Sequence, residues 1–161
     1  MTGPDVPPWL RVAFRIPDTL YARGLGFLLG SRFLRLRHVG RRSGHPYTTV
    51  LEVLGRNRDA GLYVVVSGFG ERSDWLRNLE AGGPAEVTCG RSTFPVEHRR
   101  LTEDEAVVVL ERYERRNRLI VPLVRRALSW LVGWRYDGSA AARRDLVHQL
   151  PVVLLRRVNA T

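Results

Sequence analysis

The stretch that decides the fold is Leu34-Arg35-Leu36-Arg37-His38-Val39, followed at once by Gly40-Arg41-Arg42-Ser43-Gly44. In the first part, Leu34, Leu36 and His38 alternate with Arg35, Arg37 and Val39, which is the period-two pattern of a half-exposed strand. In the second part, glycines at both ends let the backbone turn sharply and approach a ligand closely. Between them stand two guanidinium groups and a hydroxyl, the donors that a phosphate or carboxylate needs. The pattern predicts a strand that runs into an anion-binding loop, although a plain charged hairpin turn explains the loop as well.

Further strand patterns lie on both sides of a central helical segment. Gly55–Gly61 is a cluster of turn residues, and Pro95 indicates that its strand lies at an edge or a bulge. The segments with β-branched or alternating apolar residues are Tyr47–Leu54, Leu62–Val66, Ala85–Cys89, Thr93–Arg100 and Pro151–Arg157.

Helical spacing and capping signals predict five helices. Ser73 or Asp74 caps the second of them, Gly82-Gly83 ends it, and a capping box at Thr102 opens the third. The predicted helices run from Asp18 to about Phe33, over Trp75–Ala81, from Thr102 to about Arg116, over Ile120–Leu131 with Pro122 near its start, and from Ser139 to His148.

The order of these elements indicates the fold class. Residues 1–17 hold four of the nine prolines and are expected to form an irregular arm, while residues 18–161 form a single domain. About six strands in a mostly antiparallel arrangement, with helices at the ends and after the fifth strand, do not follow a β-α-β alternation. The prediction is therefore an α+β fold, a small barrel that carries flanking helices.

The composition of the chain favours some classes of partner and excludes some types of reaction. The formal net charge is +10 and the pI about 11.2, which favours anionic partners. All 26 basic residues are arginine, so Schiff-base lysine chemistry and a lysine-bearing phosphate loop are excluded. The arginines are spread over helices, strands and loops without aromatic interleaving, which argues against a nucleic-acid reader.

The remaining signals concern redox state, metals and membranes. Cys89 is the only cysteine, so an internal disulfide is excluded, and a structural thiol in a reducing compartment is expected. The four histidines show no metal-ligand spacing, so we expect no metal site. The apolar run Gly24–Gly30 is too short to span a bilayer, which favours a cytoplasmic location. Val121–Trp134 leaves two interpretations open, contact with an anionic membrane surface and packing against the barrel.

With these residues in view, the chain from about Leu34 to Arg157 resembles the deazaflavin (F420)-dependent nitroreductases and quinone reductases of actinobacterial type. That family belongs to the split β-barrel, FMN-binding-like flavoproteins. The motifs that carry the resemblance are Gly40-Arg41-Arg42-Ser43-Gly44 with Pro46, Ser67-Gly68, Trp75-x-x-Asn78-Leu79, Pro84, Val87 and Leu150-Pro151-Val152-Val153.

The resemblance implies a reduced 5-deazaflavin coenzyme, F420, whose far end carries a phosphodiester and a glutamate tail. The family's basic loop corresponds here to Arg41, Arg42, Ser43 and Gly44; the family usually has lysine at position 42, and Tyr47 stands where a further basic residue is common. Ser67 and Gly68 correspond to the turn beside the coenzyme ring. Trp75 and Asn78 correspond to positions near the coenzyme.

The expected activity is hydride transfer to a small-molecule acceptor of quinone-like, nitro or activated-alkene type. Such an enzyme needs a pocket and an anion clamp but no protein nucleophile, and Tyr113 or Ser67 is the candidate donor of a proton or hydrogen bond to the acceptor. Tyr113 corresponds to the first of several substrate-side tyrosines, whereas the next two such positions are Arg116 and Leu119 here. The alternatives are an FMN reductase on the same barrel and a non-catalytic anion or coenzyme binder. A homodimer is common for split barrels.

Overall fold

The computed structural model describes residues 32–158. The predicted arm at residues 1–17 lies outside the described residues, as does the predicted first helix except for its end, where Phe33 begins a strand. The described elements are β1 (Phe33–Val39), β2 (Pro46–Asn57), β3 (Leu62–Val66), a 3₁₀ turn (Gly70–Arg72), α1 (Asp74–Glu80), β4 (Ala85–Cys89), β5 (Ser92–Arg100), α2 (Glu103–Arg116), α3 (Val121–Val132), α4 (Ala140–Gln149) and β6 (Val152–Arg157).

The six strands form a closed barrel in the order β1-β2-β3-β6-β5-β4, and every neighbouring pair is antiparallel. The inward residues Leu34 and Leu36 of β1 are fully buried, as their alternation with arginines predicts. The α+β class, a mostly antiparallel barrel with flanking helices, is therefore confirmed. Closure also removes the free strand edges that would otherwise invite pairing with another chain.

The barrel interior holds one of two apolar clusters, and α1 contributes to it. Trp75, Leu76 and Leu79 of α1 pack with inward residues from all six strands. Arg100 at the end of β5 donates hydrogen bonds to Glu71 in the 3₁₀ turn at 2.6 Å and also pairs with Glu80 of α1. Burial and these ion pairs together fix α1 against the barrel.

The second cluster lies between the outside of the barrel and α2, α3 and α4. The predicted capping box opens α2: Thr102 Oγ1 accepts from Glu105 N at 3.3 Å, and Glu105 accepts from Thr102 N at 2.8 Å. Glu114 of α2 is buried and accepts hydrogen bonds from Arg143 of α4 at 2.7 Å and from Tyr136 at 2.9 Å. These contacts join α2 to the segment that leads into β6.

Two details differ from the sequence prediction. Gly55, Arg56 and Asn57 continue β2 and pair with β3, so the turn is shorter than the predicted Gly55–Gly61. A register shift between Val53 and Gly55 leaves Leu54 as the extra residue of a bulge. Pro95 was expected at an edge or a bulge. It is an exposed residue in the wall of the closed barrel, where β5 ends its pairing with β4 and Val96 begins pairing with β6.

The helix α3 packs on the second cluster through Val124, Leu128 and Val132, while Leu123 is 58% exposed. The expected packing against the rest of the fold is therefore present, and membrane contact stays a prediction. None of the helices described in residues 32–158 combines the length and apolarity needed to cross a membrane.

Candidate functional site

A cleft of about 520 Å³ opens where the predicted basic loop faces the start of α1. This volume is within the range of small-molecule sites. The residues that line it come from the end of β1, the loop, the start of β2, and the turn before α1 and α1 itself: His38, Gly40, Arg41, Arg42, Ser43, Tyr47, Thr48, Thr49, Phe69, Ser73, Asp74, Trp75 and Asn78.

The loop keeps its shape through backbone hydrogen bonds that its glycines permit. Gly40 N donates to His45 O and Gly44 N donates to Gly40 O, both at 2.8 Å. Gly44 has φ +67°, a conformation that costs glycine little. A Cβ on Gly40 would lie 2.5 Å from Ser43 Oγ and 2.7 Å from the Tyr47 ring. Both glycines are therefore needed for this tight turn.

The two arginines of the loop differ in their surroundings. Arg41 donates from its backbone N and from Nη1 to Asn78 Oδ1, at 3.1 and 2.9 Å, and Nη1 also lies 3.1 Å from Asp74 Oδ1. Arg42 is exposed and makes no hydrogen bond or ion pair with another residue of the described range. Arg41 is thus held in place by α1, whereas Arg42 offers an uncompensated charge at the cleft.

Asn78 therefore acts as the link between the loop and the barrel. It is 4% exposed, and its Nδ2 lies 3.0 Å from Nδ1 of His38, which is 3% exposed. The predicted contact of Asn78 with a coenzyme stays a prediction. What the structure shows is that Asn78 determines where Arg41 stands.

Ser67 lies beneath the cleft rather than on its surface. Its side chain is fully buried, and its Oγ lies 2.7 Å from Gly70 O and 2.5 Å from Ser73 Oγ. Because Ser73 Oγ takes part in this contact, it does not cap α1, although Ser73 occupies the predicted cap position. Neither Ser67 nor Gly68 lines the cleft. The geometry thus gives Ser67 a turn-forming role and does not support its predicted role as proton donor.

Aromatic side chains shape the cleft. Trp75 is 6% exposed, so it both lines the cleft and anchors α1 in the barrel core, as the sequence allowed. Phe69 is 70% exposed on the turn before α1 and presents an apolar face. Tyr47 stacks on His38, with ring centroids 6.0 Å apart, and its hydroxyl lies 3.2 Å from Ser43 Oγ. A flat apolar ligand would find apolar surface here beside the basic loop.

Tyr113 does not belong to this cleft. It lines a separate cavity of about 270 Å³ together with Arg32, Arg116 and others. Its hydroxyl donates to Glu52 Oε1 at 2.5 Å, and its pKa is raised, chiefly by burial and then by the charge of Glu52. The Tyr113 hydroxyl lies outside the cleft and already donates to a carboxylate. The predicted role of Tyr113 as a donor to the acceptor therefore lacks geometric support.

Sequence reasoning gave no role at the site to His38. It noted Tyr47 only as standing where a basic residue is common in the family, and it considered Asp74 only as a helix cap. The signal for His38 was present, since it is the third inward-facing position of β1 and immediately precedes the loop. A polar ring at an inward position needs a partner. The partner lies 40 residues away in the chain, and no local pattern identifies it.

The comparison with family models shows to which protein family the chain belongs. Residues 13–122 match the model described as F420H(2)-dependent quinone reductase. The protein belongs to this F420H2-dependent quinone reductase family. The matched range includes every residue that lines the cleft. Membership makes the protein an F420-dependent oxidoreductase, as the sequence motifs predicted.

Solved structures support the fold. HutZ, the heme storage protein from Vibrio cholerae, aligns with a TM-score of 0.52 and 13% identity over 88% of this chain and 92% of that chain. A protein from Clostridium acetobutylicum related to general stress protein 26 of B. subtilis, of the pyridoxinephosphate oxidase family, aligns with 0.51 and 5% identity over 87% and 84%. At these identities the likeness shows a shared split-barrel fold and nothing about ligands.

A third solved structure, described as an F420-H2 dependent reductase, aligns with a TM-score of 0.46 and 17% identity, over 78% of this chain and 94% of that chain. The search of curated proteins found no match.

Proposed function

We propose that this F420-dependent quinone reductase family member binds the anionic end of F420 at the Gly40–Gly44 loop and delivers hydride to a quinone-like acceptor in the adjoining cleft. The observation that carries the proposal is the uncompensated Arg42 guanidinium at the rim of a 520 Å³ cleft whose other walls are partly aromatic. An acceptor of nitro or activated-alkene type is the alternative within the same activity.

The residues present fit such a coenzyme. Gly40 and Gly44 shape a loop that leaves no side chain between its backbone and a ligand at these two positions. Arg42, the outer nitrogens of Arg41 and Ser43 Oγ are donors suited to phosphodiester and carboxylate oxygens. Phe69, Trp75 and Tyr47 offer apolar surface for a planar ring system. When bound, the reduced deazaflavin supplies the hydride.

The contribution of the protein is binding and orientation. Arg42 attracts the anion, and Arg41, fixed by Asn78 and Asp74, sets its position. Orientation alone supplies a large part of the rate enhancement in hydride transfer, because the donor and acceptor are held at contact distance. The cleft wall contains neither of the predicted general acids, since Ser67 is buried beneath the cleft and Tyr113 lines a separate cavity. A proton from solvent at the open cleft completes quinone reduction without one.

Equilibrium binding tests the proposal. Purified protein is titrated with F420 and, in parallel, with FMN, and the same is done for Arg42→Ala. Loss of a charged hydrogen bond should weaken F420 binding by about 1.5–3 kcal/mol, or roughly 10- to 150-fold. Arg112→Ala, on the exposed face of α2, is the matched control and should bind as the unchanged protein does.

Turnover with a soluble naphthoquinone and, separately, with a nitroaromatic compound then identifies the acceptor class. Tight binding of FMN without F420 binding would establish the flavin alternative. F420 binding without oxidation by any acceptor would indicate a carrier. Unchanged F420 affinity in Arg42→Ala would remove the loop from the binding site.

A further inference from the structure

The contacts of Asn78 determine the protonation state of His38. Arg41 N and Nη1 are both donors, so the Asn78 atom that they approach at 3.1 and 2.9 Å must be the amide oxygen. The amide nitrogen therefore faces His38 Nδ1 at 3.0 Å. Since an amide nitrogen only donates, Nδ1 must accept. His38 is then neutral and carries its proton on Nε2.

Burying His38 at this position costs free energy that an apolar core residue would not cost. His38 Nε2 is buried and has no hydrogen-bond partner within the described residues. An unpaired buried donor costs about 1–3 kcal/mol, which an apolar side chain of similar shape would avoid. The benefit of His38 is therefore the Nδ1 acceptor that it presents to Asn78.

The surroundings of His38 keep it neutral near pH 7. Burial lowers the pKa of His38 below its ordinary value of 6.5, while Asp74 of α1 partly opposes this. From β2, the Tyr47 ring stacks on the imidazole, and from β4 the paired residue is Ala85. Arg41 of the loop adds a positive charge on the far side of Asn78.

We propose that His38 is a positioning residue for the anion-binding loop, and that protonation of His38 releases Arg41. A proton on Nδ1 would set a donor against the donor Nδ2 of Asn78. The amide would then turn to offer its oxygen to His38, and its nitrogen would face Arg41 N and Nη1. Both hydrogen bonds from Arg41 to Asn78 would be lost. This inference rests on the proposed function, in which Arg41 orients the coenzyme's anionic end.

The sign of the pH effect follows. The folded-state pKa of His38 lies below its ordinary value of 6.5, so Arg41 stays in place at neutral pH and is released only as the pH falls through that lowered pKa. As the pH falls further and His38 takes up its proton, F420 affinity should fall by about tenfold, the lower range for loss of a charged hydrogen bond. Arg42 still holds the ligand, so binding is weakened rather than abolished.

Two substitutions separate positioning from simple packing. His38→Asn places an amide oxygen near the position of Nδ1 and does not titrate, so it should keep high affinity and lose the acid-side decline. His38→Leu fills the space without an acceptor and should show the weakened affinity at every pH. His98→Asn, on β5 and away from the cleft, should keep the profile of the unchanged protein.

A measurement on the coenzyme-free protein makes the outcome independent of the proposed function. The ¹⁵N shifts of the His38 ring should show the Nε2–H tautomer at neutral pH, and the backbone amide of Arg41 should shift as His38 titrates. An Nδ1–H tautomer, or an Arg41 amide that does not respond, would overturn the inference. So would identical pH profiles for the unchanged protein and His38→Asn. Failure of F420 to bind at any pH would instead refute the proposed function.

Discussion

Asn78→Ala tests the central link of the cleft. The substitution removes one hydrogen bond to a backbone N–H, one to a guanidinium and one to His38, at 3.1, 2.9 and 3.0 Å. A neutral hydrogen bond contributes about 1 kcal/mol and a charged one about 1.5–3 kcal/mol. Water replaces part of this, because the Arg41 side chain is 21% exposed. The expected loss in the free energy of unfolding is about 2–4 kcal/mol.

The assay is urea unfolding, combined with a double-mutant cycle between Asn78→Ala and Arg41→Ala. Because the two side chains touch, the coupling energy should be about 1–3 kcal/mol. Asn78→Asp is the matched variant: it keeps the oxygen acceptor for Arg41, and its negative charge should raise the pKa of His38. A coupling energy below about 0.5 kcal/mol would refute the claim that Asn78 holds Arg41.

Two further predictions concern residues away from the cleft. Burial by itself would raise the pKa of Glu114, but hydrogen bonds from Arg143, Arg125 and Tyr136 outweigh burial and lower it. The contribution of Glu114 to the stability of the fold is therefore complete above pH 4.5 and is lost as the pH falls through its lower folded-state pKa. Glu114→Gln should therefore cost about 3–5 kcal/mol in unfolding free energy at neutral pH and reduce the acid-side decline in stability; a cost below about 1 kcal/mol would contradict this. Tyr113→Phe should leave F420 affinity and quinone turnover within about twofold, while unfolding loses about 1–2 kcal/mol because Glu52 loses a donor. A large fall in turnover with unchanged stability would return Tyr113 to the catalytic site.

The fold was largely predictable because its signals are local. The alternation from Leu34 to Val39, the capping box at Thr102 and the helix start predicted at Ser139 each depend on the residues next to them, and the structure has a strand or a helix start at each. The errors occur where tertiary pairing overrides a local preference. Gly55 is typical of a turn but pairs with β3 directly after a bulge, and Pro95 is typical of an edge or a bulge but lies where β5 changes partners.

The site was only partly predictable, and the reason is physical. A motif shows which side chains are near each other along the chain, but it does not show which hydroxyl or guanidinium is already bonded inside the fold. Ser67 and Tyr113 have suitable chemistry, yet each is bonded to a partner that the sequence does not reveal. The Gly40–Gly44 loop was found because its glycines and arginines are contiguous, whereas His38 and Asn78 meet only when β1 and α1 are packed together.

Under the proposed function, the contacts give the two arginines of the loop different roles. Asn78 and Asp74 both engage Nη1 of Arg41, whereas its Nε and Nη2 make no hydrogen bond with a described residue. The remaining edge of the guanidinium is held in a fixed orientation. Binding of an anion there would therefore cost little further side-chain entropy. Arg42 is exposed and has no such restraint, so it would adjust to the ligand at a larger entropic cost. Under the proposed function, the fixed Arg41 would set the register of the anion and Arg42 would strengthen the attraction, so the orientation of a single buried amide, Asn78, would have consequences for the whole cleft.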